Sequence, residues 1–235
     1  MLKKDIILRN PLRLMEQAIK DSLPENGFGA VLARAGVGKT AFLVQLSLNF
    51  LLMDKNVLHI SLDTPVNKVC LWYKEVFDRL ASQDNLQQIE RLWETLQPHR
   101  FIMTFNVDGF SVPRFEERLN ELSEQEIFFP NMIIIDGLPF DESVHSTLSD
   151  LKALAKKHAM HFWFTVRTHR HEGPGPDGMP PQLKNVSDLF DLVIQLQPEG
   201  KDIHVKALKK AEASNFEHPK LVLDPSTMLL KDKEK

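Results

Sequence analysis

The chain has 235 residues, 43% hydrophobic and 26% charged, the balance of a globular protein and not of a disordered or fibrous one. Its 29 Lys and Arg stand against 32 Asp and Glu, and a net charge of −3 leaves no positive surplus for wrapping duplex nucleic acid. The one cysteine, Cys70, excludes an intramolecular disulfide; inside VCLWYKEVF it reads as a small buried hydrophobe, and a reducing cytoplasm is the expected compartment. Neither a secretory leader nor a membrane span is expected. The longest apolar stretch, Ala41 to Met53, falls short of the roughly 18 residues that a span requires.

Taken in order, Asn10-Pro11 predicts a helix start and a lead helix over 11–21, within an N-terminal segment 1–24. Residues 25–230 then read as one domain, with 231–235 as a frayed tail. An apolar strand from Phe28 to Leu32 runs into the glycine loop Ala33-Arg34-Ala35-Gly36-Val37-Gly38-Lys39-Thr40. From Lys39 to about Met53 follows a helix apolar nearly all round, as in a buried α/β core. A strand over 56–63, helices over 66–82 and 84–97 (the second capped by Asp84) and a strand from Phe101 to Phe105 come next. Residues 112–125 read as helix, and Met132-Ile133-Ile134-Ile135-Asp136 as a central strand ending in a carboxylate. A helix over 143–158 and a strand from Met160 to Val166 lead to a Gly/Pro-rich loop over 169–184. Strands over 191–197, 202–208 and 219–224 close the chain, with Glu199-Gly200-Lys201-Asp202 as a hairpin turn. Strands alternating with helices and followed by β-rich pieces predict a three-layer αβα sandwich whose mostly parallel sheet has an antiparallel C-terminal edge.

The chemistry concentrates in residues 33–40. Glycines let backbone amides approach a phosphate closely, and a helix N-terminus favours the anion. A lysine reaches the outer phosphates, and a hydroxyl serves magnesium. The stretch supplies all four and matches GxxxxGK[ST] except that Ala33 stands at the first glycine, which an ordinary backbone conformation there would tolerate. Magnesium on a triphosphate also needs a carboxylate at a neighbouring strand end, and Asp136 is placed for it beside Thr40. Asp63, ending the strand after the glycine-loop helix, is the candidate to orient an attacking water.

A phosphate loop, a strand ending Ser61-Leu62-Asp63-Thr64-Pro65 and a later apolar strand ending in Asp136 together resemble the RecA-like ATPases, chiefly the replicative-helicase and circadian-clock branches, over residues 25–225. The resemblance implies a RecA-like sheet, ATP and Mg2+ as ligands, and hydrolysis in a homo-oligomeric ring or filament. The family's catalytic glutamate is Asp63 here, and a slow or non-hydrolysing nucleotide switch is the alternative. By position, Thr165 becomes the sensor of the γ-phosphate. Residues 167–184 match a mobile loop that touches single-stranded DNA, with Arg167, Arg170 and Lys184 as phosphate contacts, although Glu172 and Asp177 dilute the charge and no aromatic is present for stacking. Where the family carries an arginine finger, the chain reads Lys206-Ala207-Leu208-Lys209-Lys210-Ala211, leaving Lys209 or Lys210 as substitutes. A kinase uses the same loop, but of an arginine-rich lid only Arg167 and Arg170 are present. His158, His161, His169 and His171 lack the partners of a zinc site. Trp72, Trp93 and Trp163 read as core or half-buried residues.

Overall fold

The computed structural model describes residues 2–82, 84–169, 175, 178–212 and 221–233. Nine strands form one sheet: β1 (Phe28–Ala33), β2 (Val57–Ser61), β3 (Arg100–Thr104), β4 (Met132–Asp136), β5 (His161–Arg167), β6 (Leu192–Glu199), β7 (Asp202–Lys209), β8 (Leu221–Leu223) and β9 (Leu230–Asp232). They lie in the order β3-β2-β4-β5-β1-β6-β7-β8-β9. The first six are parallel, and β7 to β9 add an antiparallel edge.

Helices α1 (Leu2–Arg9), α2 (Arg13–Ser22), α3 (Lys39–Leu52), α4 (Val66–Leu80) and α5 (Leu86–Leu96) pack on one face of the sheet. Helices α6 (Val112–Glu124) and α7 (Val144–His158) pack on the other. This division follows from the strand order, because crossovers of one hand must place leftward and rightward connections on opposite faces. The connections β1–α3–β2 and β2–α4–α5–β3 step one way, and β3–α6–β4 and β4–α7–β5 step back. Both faces are therefore apolar, and successive side chains feed alternate layers: Ile134 and Trp163 face the first, Ile133, Ile135, Phe162 and Phe164 the second. The three-layer α/β sandwich expected from the pattern is the architecture found.

Several local expectations are corrected. The N-terminal segment holds two helices, not one over 11–21. Asn10 closes α1 with its N–H on the Ile6 carbonyl (2.9 Å) and turns its side chain to accept from the Leu12 N–H at 3.0 Å, so it joins the helices and α2 begins only at Arg13. The cap of α5 is Asn85, whose Oδ1 accepts from the Gln87 N–H at 3.0 Å, and not Asp84, which instead pairs with Arg9. Cys70 is half-buried and not enclosed, with the Arg100 guanidinium 3.9 Å from its sulfur. Lys231 and Asp232 do not fray, because β9 pairs with β8 in the register Val222 to Lys231. The anchor is buried Gln45 of α3, which donates to the Met228 carbonyl and accepts from the Leu230 N–H, each at 2.8 Å.

Candidate functional site

Ala33 is the last residue of β1, paired with Arg167 in extended backbone, which is why this position needs no glycine. The two glycines that follow do carry a conformational demand. Gly36 and Gly38 have φ of 77° and 112°, and a Cβ on Gly38 would meet the Leu223 side chain at 2.5 Å. Gly38 caps α3, so the helix presents its unpaired amides and positive end to the cleft above the sheet. Lys39 opens the helix, and its Nζ donates to the Ala33 and Arg34 carbonyls, each at 3.0 Å. Two of its three donors thus brace the loop, and one is left for an anion. Burial holds this ammonium below its ordinary pKa; nearby Asp136 pulls it back up, Arg167 pushes it down, and Asp63 raises it again.

At the ends of the neighbouring strands, Asp136 is 7% exposed. Its Oδ2 accepts from the Thr40 hydroxyl at 2.8 Å and its Oδ1 from the Thr165 hydroxyl at 2.6 Å. Thr165 in turn accepts from the Gly137 N–H at 3.1 Å. Thr165 thereby holds Asp136 in place and is itself 4% exposed, so its hydroxyl is spent on the carboxylate. Asp63 lies across the opening, exposed, with Oδ1 accepting from the Thr64 hydroxyl at 2.9 Å. Gly137, at φ 92°, passes close beneath it: a Cβ there would stand 3.2 Å from the Asp63 carboxyl carbon.

The structure thus brings together Lys39, Thr40, Asp63, Asp136 and Thr165 around one cavity of about 440 Å³, which Arg167, His169 and Gln182 also line. A second cavity of about 540 Å³ opens on the other side of Gly36, Lys39 and Thr40, walled by Trp72 and Arg79 of α4 and by Ser226 and Met228 of the β8–β9 turn. A smaller space of about 70 Å³, between α2 and α3, lies away from this cleft. No family model matches the chain, and no curated protein matches it.

Thr40 and Asp136 supply hard oxygen donors of the kind magnesium takes. Their 2.8 Å separation is close to the roughly 3 Å between neighbouring ligands of an octahedral ion with 2.0–2.1 Å bonds, so the residues fit that cation. Among the described residues no group of three or more His, Cys, Asp and Glu could hold a metal, so water or a bound ligand would complete the coordination of an ion held by Thr40 and Asp136. His158 and His161 flank the α7-to-β5 junction, while His171 lies outside the described residues.

Sequence reasoning missed the layer beneath. His59 of β2 is fully buried; its Nδ1 lies 3.0 Å from the Tyr73 hydroxyl, and its Nε2 faces Asp136 Oδ2 at 4.0 Å with no hydrogen-bond partner among the described residues. Burial, reinforced by the Arg100 charge, pushes the imidazole down to about 3 and keeps it neutral. Arg100 stacks over Tyr73 with its guanidinium carbon 4.8 Å from the ring centroid. The sequence signal is a histidine within the apolar run Val57 to Ile60. Arg167, an expected phosphate contact, lines the central cavity. Lys209 donates to the Ser187 carbonyl of its own chain at 2.8 Å, and Lys206 pairs with Glu199. Of the loop over 169–184, Arg170, His171, Glu172 and Asp177 lie outside the described residues. Trp163 is buried, and Trp72 and Trp93 are half-buried.

Proposed function

We propose that this chain is a RecA-like, magnesium-dependent nucleoside triphosphatase acting on ATP. The observation that carries the reading is the Thr40–Asp136 contact beside Lys39 at the N-terminus of α3, where a hydroxyl, a carboxylate, an ammonium and free helix amides converge on one cavity. The β- and γ-phosphates would lie over Gly36–Thr40, with the Lys39 ammonium leaving its carbonyls to meet them. Thr40 and Asp136 would hold magnesium, which when bound neutralises phosphate charge. Asp63 and Arg167 line the same cavity. The Asp63 carboxylate orients water for attack on the terminal phosphorus and accepts its proton as the bond to the β-phosphate oxygen breaks, and Arg167 offsets the charge that develops. The nucleoside would extend past the loop into the cavity walled by Trp72 and Met228.

A slow, switch-like nucleotide binder is the second reading. It is favoured by the short Asp63 carboxylate, already engaged by Thr64, and by the commitment of Lys209 to its own chain. Among the described residues no helix is long and apolar enough to cross a membrane, and a cytoplasmic location belongs to this proposal together with assembly into a homo-oligomer and contact with single-stranded DNA. The test is phosphate release and nucleotide binding with and without magnesium, against Lys39→Ala as control. Magnesium-dependent binding lost in the variant is the expected result. Equal binding by both forms would sink the reading, and binding without turnover would select the switch.

A further inference from the structure

We propose that His59 is a positioning residue for Asp136, aiming an Nε2–H at the carboxylate oxygen that also receives Thr40. The inference rests on reading the site as one for magnesium and nucleotide. A fully buried imidazole in a layer of Val57, Ile134 and Trp163 carries a desolvation cost that packing alone does not explain. Its tautomer follows from its two neighbours. Were Nε2 unprotonated, its lone pair would face a carboxylate in a water-poor layer, so the proton belongs on Nε2 and the Tyr73 hydroxyl donates to Nδ1. Tyr73 is fixed for this by the Arg100 guanidinium over its ring and by Ser47 beside its oxygen.

Among the described residues two of the carboxylate's acceptor sites are taken, one on each oxygen. Thr165 occupies Oδ1 and Thr40 occupies one side of Oδ2, while His59 approaches the same oxygen at 4.0 Å, too far for a hydrogen bond and within reach of a small carboxylate rotation. His59 therefore limits how Asp136 turns when it takes a cation. Outer partners of this kind commonly change metal affinity 10–100-fold when removed, and about tenfold is expected here given the long contact.

The test is a magnesium titration of binding to a fluorescent N-methylanthraniloyl ATP analogue by wild type, His59→Phe, which keeps a ring and removes the donor, and His59→Gln, which returns an N–H near the Nε2 position. In His59→Phe the magnesium concentration at half-saturation should rise about tenfold, and His59→Gln should recover most of the loss. A wild-type magnesium dependence in His59→Phe overturns the role of His59, as does an equal loss in both variants, which would mark mere packing. A wild type that binds no analogue at any magnesium concentration overturns the nucleotide reading itself, and this proposal with it. A measurement that needs no variant is the ¹⁵N-histidine spectrum of the intact protein: protonation on Nε2 is expected, and protonation on Nδ1 overturns the proposal.

Discussion

Thr40 and Asp136, 96 positions apart in the chain, meet through a 2.8 Å hydrogen bond from Oγ1 to Oδ2. The carboxylate is buried against two hydroxyls, so Asp136→Asn keeps the shape and removes the charge. Metal-dependent nucleotide binding should weaken 10–100-fold while stability changes by about 1 kcal/mol. Calorimetric titration with Mg-ADP, beside urea denaturation, checks both numbers.

Gly137 is the floor under Asp63. Alanine there would demand φ near 92° of a residue with a Cβ, a cost of about 1–2 kcal/mol, and would press on the Asp63 carboxyl carbon at 3.2 Å. Gly137→Ala should therefore lower single-turnover hydrolysis more than nucleotide affinity. Equal losses in both would show that the displaced carboxylate does not act on the chemical step.

Gln45 links α3 to the last two strands through both ends of its amide. Gln45→Leu fills the space but leaves the Leu230 N–H and the Met228 carbonyl unpaired, at about 1–3 kcal/mol each. A fall in unfolding free energy of about 2–6 kcal/mol is expected in urea titrations. A loss below about 0.5 kcal/mol, the level of an ordinary surface change, would mean that β9 is held by its ladder alone.

His161 of β5 gives a pH signature. Burial holds its pKa below the ordinary value, opposed by a hydrogen bond to the Pro24 carbonyl and supported by the Lys55 charge, and its Nδ1 has no partner among the described residues. The unfolded chain then binds more protons than the folded one as pH drops below about 6.5. Stability should fall with acidification through that window, by at most about 1.4 kcal/mol per pH unit from this residue. Denaturation midpoints at pH 7 and pH 5 for wild type and His161→Gln test it, the variant being the flatter of the two.

How legible the molecule was depended on the range of the interactions. The run from Phe28 through the glycines to Lys39, and the apolar strand ending at Asp136, declare themselves locally, because burial on both sheet faces demands continuous apolar residues. Three features did not. In α1 the apolar residues are interrupted by charge, and the helix is completed by neighbours such as Asp84. β9 spans three residues and depends on a glutamine 185 positions earlier. The partner of His59 lies on α4, so its environment emerges only once β2 and that helix are packed. Asp63, Lys39 and Asp136 were found by type and position; the use of Thr165 to restrain a carboxylate, and the approach of Arg167 to the cavity, needed the register of β1, β4 and β5.

The turn between β8 and β9 reaches back to the start of the fold. Its Thr227 carbonyl accepts from Arg79, its Met228 carbonyl from Gln45, and Leu223 at the end of β8 rests against Gly38. The far edge of the sheet therefore supplies one bank of the cleft whose opposite bank is α4. A chain ending after β7 would retain every residue of the glycine loop and have half a channel. In this molecule an antiparallel hairpin at the sheet edge completes a site whose chemical groups all come from the parallel strands and the segments that follow them.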